Sequence, residues 1–331
     1  MTTESVNTAL ESGQNQTPRN YLGPSAWKSC DRAMWFNLRG VSGVILHKAE
    51  TLRTFEVGHL LEDAMCEWLE KAGATVMMRE AEIKNRWGGV FGHIDGIVFY
   101  NDEFYLLEMK TAKEQRFKEM VKKGIPDYYY SQIQIYMANS TQLSESGRKL
   151  EKCLYFIFNK NTSEIDINVI PADPAYGEIQ TERMHDIIAS DALPPAEESY
   201  KCNMCDHSQV CKGETPANIS CMTCAAVSAK DGGFECSLGH DLKLCGQHVF
   251  HPQLMELMGY EIESVDSSNL AIDYGKFVMA PENYHKKDKP TFTSTEFIGA
   301  LSSGFLDDEF GMCIKAEFAG RVSFNDKEPQ F

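Results

Sequence analysis

Long apolar runs are missing from this chain. None approaches the roughly 18 consecutive apolar residues that a membrane span needs, and no charged-then-apolar targeting pattern stands at the N-terminus. The expectation is a soluble protein of the cytoplasm with no membrane partner. Positive charge is also scarce: 32 Lys and Arg stand against 48 Asp and Glu, a net charge of −16. That balance excludes a surface uniformly coated for nucleic acid, though not a local basic groove. Internal repeats and low-complexity tracts are absent. What is present is length and apolar content, 331 residues with 43% hydrophobic, enough for about two domains. Eleven cysteines are many for a cytosolic chain, and their grouping as C-x2-C favours metal sites over disulfides.

The stretch that organises the chain is Gly92-His93-Ile94-Asp95-Gly96, followed by Leu106-Leu107-Glu108-Met109-Lys110-Thr111. An apolar run to Tyr100, a polar turn at Asn101-Asp102-Glu103 and a second apolar run predict a β-hairpin. Side chains alternate faces along a strand, so Glu108 and Lys110 share one face, and Asp95 can lie opposite on the neighbouring strand. Carboxylates are hard oxygen ligands suited to Mg²⁺ or Mn²⁺. A lysine beside them can hold a nucleophilic water or a developing phosphorane charge.

Helices are expected over Ser25–Gly40, over Thr51–Gly73 with an apolar stripe of Leu60, Leu61, Ala64, Met65 and Trp68, and over Tyr128–Met137. His59 and Glu62, three apart, share a helical face, as do Gln132 and Tyr136, four apart. A strand is expected within 75–87 and two more within 151–170. Between residues 110 and 123 six basic side chains face two acidic ones, a local net of +4. This reads as a phosphate-tracking rail through Lys113, Arg116 and Lys118, against the plainer reading of a solvated helix face.

Gly58-His59-x-x-Glu62, Gly92-His-Ile-Asp95-Gly96, Glu108-Met-Lys110 and Gln132-x3-Tyr136 resemble, in order, the motifs of the RecB-like branch of the PD-(D/E)XK nuclease superfamily. The resemblance covers about residues 21–213 and implies an α/β restriction-endonuclease-like core, a mixed central sheet flanked by helices. It implies metal-dependent hydrolysis of DNA. Asp95, Glu108, His59 and the Met109 carbonyl would hold Mg²⁺ or Mn²⁺, and Glu62 would support His59. Lys110 would orient and activate the attacking water, and Gln132 and Tyr136 would position the strand. An exonuclease acting on free or single-stranded ends in recombination and repair, in a bacterial or phage-infected cytosol, follows from the resemblance alone. The residues suit an endonuclease equally, or a non-catalytic DNA-binding scaffold.

Two cysteine groups follow. Cys202, Cys205 and Cys211 form C-x2-C-x5-C, three thiols that need a fourth ligand. The resemblance to AddB-type and CRISPR-adaptation nucleases supplies Cys30, and with it a [4Fe–4S] cluster tying residues about 170 apart; zinc is the rival metal, and His207 a minor substitute ligand. Cys221, Cys224, Cys236 and Cys245, with His248 and then His240 as substitutes, read as a small zinc ribbon over 217–258. It is similar to the C-terminal ribbons of phage nucleases, and could bind DNA, close the fold, or recruit a recombinase or single-strand binding protein. Cys66, Cys153 and Cys313 read as ordinary buried thiols. Residues 1–20 read as a flexible tail. Residues 259–331 form an acidic region with strand-like pieces such as 270–274 and a capped helix at Thr293–Glu296, with no assigned role.

Overall fold

A computed structural model of the chain describes residues 2–14, 21–286, 289–308, 312 and 315. Cys313 and most of the C-terminal end lie outside the described residues. The chain forms two compact units, the first from residues 1–30 and 45–189, the second from 31–44 and 190–331. No helix among the described residues is long and apolar enough to cross a membrane.

The helices in chain order are α1 (Thr3–Ser12), α2 (Asp31–Arg39), α3 (Ala49–Lys71), α4 (Glu114–Lys123), α5 (Asp127–Ala138), α6 (Pro174–Ala189), α7 (Ser208–Cys211), α8 (Pro252–Leu257) and α9 (Ser294–Ser302). The strands of the first unit are β1 (Thr75–Met77), β2 (Glu82–Lys84), β3 (Val90–His93), β4 (Gly96–Tyr100), β5 (Glu103–Ala112), β6 (Lys152–Asn159) and β7 (Ile165–Pro171). Five of them form one sheet in the order β1-β4-β5-β6-β7, parallel only between β5 and β6. This is the mixed sheet flanked by helices that the motif order implied.

The predicted hairpin is β4–β5. Asn101 and Asp102 take φ of 50° and 61°, the left-handed pair of a two-residue turn whose twist matches the flanking strands. β5 is central and buried on both faces. Leu107 and Met109 pack with Met65, Cys66 and Leu69 of α3 and with Val98, Phe156 and Phe158. Leu106, Glu108 and Lys110 point to the other face. That face also carries Cys153, Tyr155 and Ile157 of β6, which pair with them in register.

Several sequence expectations are corrected. Residues 3–12, expected as a flexible tail, are helix α1. A capping box joins Thr2 and Ser5, Glu11 Oε1 accepts from Ala49 N at 2.9 Å, and Asn7 Oδ1 accepts from Arg53 at 2.8 Å. Local capping and two side-chain bridges to α3 order a segment with no apolar period. The buried stripe of α3 is Leu61, Met65, Cys66 and Leu69; Leu60 is 69% exposed. The sheet side chains select which turn-neighbours face inward, and helical spacing alone leaves that choice open by one position. The helix expected over 25–40 is a 3₁₀ turn, Pro24–Lys28, then α2. Ser29 is extended between them, and Asp31 opens α2, a favourable residue for a fresh first turn.

The boundary expected at 213 falls at 189/190 instead. In the second unit Trp35 Nε1 donates to Ser190 O at 3.1 Å, and the buried Arg39 pairs with Asp191 at 2.6 Å. Arg39 also lies over the rings of Trp35 and Phe234 and donates to Met222 O. These bonds bring 31–44 and 190 onward into one core. Its strands are β8 (Val227–Lys230), β9 (Gly233–Cys236), β10 (Ser264–Asp266), β11 (Ala271–Asp273), β12 (Val278–Met279) and β13 (Thr291–Phe292). β8–β9 is a hairpin through Asp231-Gly232, and β10–β13 form a four-stranded sheet. The predicted strand at 270–274 is β11, and the capping box of Thr293 with Glu296 opens α9 as expected.

Candidate active site

The antiparallel register Gly96↔Leu107 continues one residue to set Asp95 across from Glu108. Asp95 Oδ2 accepts from Met109 N at 2.6 Å, which locks the carboxylate to the central strand. Glu108 is 1% exposed. One of its oxygens, Oε2, takes a long hydrogen bond from Gln132 Nε2 at 3.4 Å. The other, Oε1, forms an ion pair with Lys110 Nζ. Lys110 Nζ also donates to Met109 O at 3.1 Å and lies 5.2 Å from the centroid of the Tyr129 ring.

Burial pushes the Glu108 carboxyl up to about 7; Lys110 opposes the shift, while Asp95 and Glu62 add to it. Burial works to lower Lys110, but Glu108 and then Asp95 outweigh it and hold the ammonium above its ordinary value. Lys110 is therefore a cation near neutrality, a donor rather than a base. Two carboxyl groups share one ammonium here. Asp95, Glu108 and the Met109 carbonyl are hard oxygen donors, a set whose chemistry fits Mg²⁺ or Mn²⁺.

α5 supplies the far wall. Gln132 reaches Glu108, and Tyr136, 4% exposed, lies against Gly92. A Cβ on Gly92 would stand 2.6 Å from Tyr136 Oη and 3.2 Å from Pro24 Cδ, so the glycine of the Gly-His-Ile-Asp segment is the space the tyrosine occupies. α6 packs as closely on α5, where a Cβ on Gly177 would stand 2.6 Å from Gln134 O.

The structure gathers Asp95, Glu108, Lys110, Gln132 and Tyr136 in one site. His59 is not gathered with them. Its side chain is 76% exposed and pairs through Nδ1 with Glu62 Oε2 at 3.3 Å, and it is the less exposed Glu62 whose charge reaches Glu108. On α4, Arg116 is held by Glu119 at 3.2 Å and by Tyr128 Oη at 2.6 Å, and Lys118 by Glu114 at 2.5 Å. Lys113 is exposed at the N-cap. Sequence reading passed over Tyr129. The available signal was its spacing, three residues before Gln132 on the same face of α5.

In the second unit Cys221, Cys224, Cys236 and Cys245 line one cavity of about 10 Å³, with His240 and His248 also at its wall. That is room for an ion or a single water. The other thiols push the Cys221 thiol up after burial does, as expected where thiols converge. His248 is buried with both ring nitrogens engaged: Nδ1 with Ser294 Oγ at 2.9 Å and Nε2 with Thr223 Oγ1 at 3.3 Å. It is a structural side chain of this core. In the first cysteine group, Arg32 Nη1 reaches Cys211 Sγ at 3.8 Å and Cys202 Sγ donates to Glu197 O at 3.5 Å. Cys30 is a residue of the first unit and the other three belong to the second. Among the described residues, no three or more His, Cys, Asp or Glu side chains stand in a ready metal-holding arrangement. Cys66 and Cys153 are buried, as expected, and His207 bonds Ser42 Oγ at 2.8 Å.

Residues 19–143 match the family described as YqaJ-like viral recombinase domain. His59, Asp95, Glu108, Lys110, Gln132 and Tyr136 all fall inside that span, and of the paired cysteine groups only Cys30 does. Among solved structures, the chain is similar to one described as SSO0001, with 18% identity, TM-score 0.40, and coverage of 63% of this chain and 95% of that one. It is also similar to LHK-Exo in complex with dAMP, with 19% identity, TM-score 0.38, and 56% and 91% coverage. A third is an alkaline exonuclease (LHK-Exo) from Laribacter hongkongensis, with 16% identity, TM-score 0.37, and 56% and 91% coverage. No curated protein matches the chain.

Two outcomes follow from this geometry. Gly92→Ala should destabilise the first unit by about 1–3 kcal/mol, the cost of overpacking. Tyr136→Phe in the same background should recover part of it, because the clashing hydroxyl is gone. Denaturant midpoints of the four proteins of this cycle measure the coupling; additive losses would mean the two positions do not meet. In the second unit, burial lowers His248 to about 4, from an ordinary 6.5. The unfolded chain then binds the proton first, so stability is present above pH 6.5 and is lost as pH falls from about 6.5 towards 4. Denaturation of wild type and His248→Gln at pH 7 and pH 5 checks the sign, with the variant expected to show the shallower pH dependence.

Proposed function

We propose that this chain is a metal-dependent DNA nuclease of the PD-(D/E)XK kind that acts as an exonuclease in recombination. The observation that carries the reading is the buried Glu108 paired with Lys110 and faced by Asp95, which the Met109 amide anchors to the central strand. The family match over 19–143 supports the same activity and its recombination setting.

Asp95, Glu108 and the Met109 carbonyl would hold Mg²⁺ or Mn²⁺, with His59 acting through Glu62 from the exposed rim of α3. Bound there, the ion would supply Lewis acidity to the scissile phosphate and lower the pKa of a coordinated water. The remaining work belongs to side chains. Lys110, kept as an ammonium by its two carboxylates, orients the water and offsets charge on the phosphorane; it does not take the proton. Gln132 holds the Glu108 carboxylate in position. Tyr136 closes the wall beside Gly92, and Lys113, Arg116 and Lys118 meet phosphates along α4. The substrate is DNA with a free end. A recombinase or single-strand binding protein is the partner class this setting implies.

Cys221, Cys224, Cys236 and Cys245 would hold zinc. Their shared cavity supports this, and the engaged ring of His248 leaves the four thiols as the ligand set. For Cys30, Cys202, Cys205 and Cys211 an iron–sulfur cluster is the preferred reading and zinc the rival.

The nuclease reading is tested on end-labelled linear and covalently closed circular DNA with Mg²⁺, Mn²⁺ or EDTA. Linear DNA should shorten from its ends while circles survive. Lys110→Ala should lose about 10²–10³-fold in rate, the scale of removing one charge-stabilising donor, and still bind DNA. Cut circles would replace the exonuclease with an endonuclease. Bound but uncut DNA under every cation would leave a DNA-binding scaffold. Metal analysis of anaerobically purified protein should find one zinc that Cys236→Ser removes, together with iron and a broad visible absorbance. Two zinc ions and a colourless protein would make the first cysteine group a zinc site.

A further inference from the structure

We propose that Tyr129, Tyr128 and Arg116 form a stacking track leading away from Lys110, which selects a single-stranded or frayed DNA end as the substrate of this site. The proposal rests on the nuclease reading for its purpose, but its geometry is independent of that chemistry. Lys110 Nζ lies 5.2 Å from the centroid of Tyr129. The Tyr129 and Tyr128 rings follow at 4.3 Å between centroids, tilted by 56°. Arg116 closes the row, with Nη2 at 2.6 Å from Tyr128 Oη and Cζ at 6.0 Å from its ring. Cation, ring, ring and cation thus stand in sequence across three elements, β5, the first turn of α5, and α4.

Three features set this row apart from ordinary packing. Tyr128 and Tyr129 both keep part of their surface open although they adjoin the buried pair, and the Arg116 side chain is 44% exposed. The rear of the row is braced: Tyr129 lies 6.3 Å from Tyr155, a fully buried ring of β6. Among the described residues, the acid paired with Arg116 is Glu119, at 3.2 Å and itself 38% exposed, a partner that a phosphate can displace. Aromatic faces beside a cationic groove are the chemistry that binds single-stranded nucleic acid, because every base offers a π face whatever its identity. An intact duplex keeps those faces stacked inside its helix and offers none. A strand whose terminal bases are unpaired can lay them on Tyr129 and Tyr128 while its backbone crosses Lys110 and Arg116.

The test uses the full chain in EDTA, so that binding is read without hydrolysis. A single-stranded oligonucleotide carries 2-aminopurine at successive positions from its end. Stacking on a tyrosine should quench its fluorescence at one or two adjacent positions. Tyr128→Leu should abolish part of that quenching and weaken single-strand binding about tenfold, with a smaller loss for blunt duplex. Tyr128→Trp and Tyr128→Phe should restore both. In Mg²⁺, the loss of Tyr128→Leu should fall on KM more than on kcat for frayed ends. Unquenched binding by the wild type, or quenching left undiminished by Tyr128→Leu, would overturn the track and leave the tyrosines as packing around Lys110. Equal losses on duplex and single strand would overturn the selectivity. Quenching without any cleavage would keep the track and remove the nuclease; cleavage without quenching would do the reverse.

Discussion

A charged carboxylate on the central strand of a sheet is the constraint on which the first unit depends. Glu108 is buried on one face of β5, a strand covered on both sides, and an isolated carboxylate there would cost several kcal/mol. Lys110 offsets that cost from two residues along, on the same face, because strand parity brings alternate side chains together. The pair then requires its neighbours. Asp95 must be anchored by the Met109 amide so as not to crowd the carboxylate, and α5 must bring Gln132 to the second oxygen. A site built this way is held by the core itself, with its floor on β5 and its wall on α5.

The second unit rests on a comparable device. Arg39 is buried with its guanidinium on Asp191, on Met222 O and over two aromatic rings. A planar cation of this kind satisfies a carboxylate and covers rings at once, which a lysine could not. It links α2, early in the sequence, to a segment more than 150 residues later, and so decides where the unit begins. The four thiols of the β8–β9 region sit in the same unit around one small cavity. The nearby His248 is committed to Ser294 and Thr223.

Much of the site was legible because its motifs are local. Asp95, Glu108 and Lys110 follow from a two-residue hairpin turn and the period of two, and Gln132 with Tyr136 from one helical turn. The caps at Thr293 and Glu296 were equally readable, being side chains that bond their own backbone. Helical spacing misjudged Leu60, because a helix presents adjacent candidate stripes and only the opposing sheet selects one. Composition likewise misjudged residues 3–12, whose order comes from side-chain bridges to α3 and not from apolar burial.

By itself, the sequence determined the strand parity, the turn and the order of the chemical groups, all consequences of covalent spacing and backbone geometry. Tertiary structure alone decided which groups share an environment. It buried Glu108 and thereby raised its carboxyl, left His59 at the surface behind Glu62, gave Gly92 its role as space for Tyr136, and aligned Tyr129 and Tyr128 with Lys110. Those outcomes depend on desolvation and on contacts between elements distant in the chain, and no spacing rule encodes either.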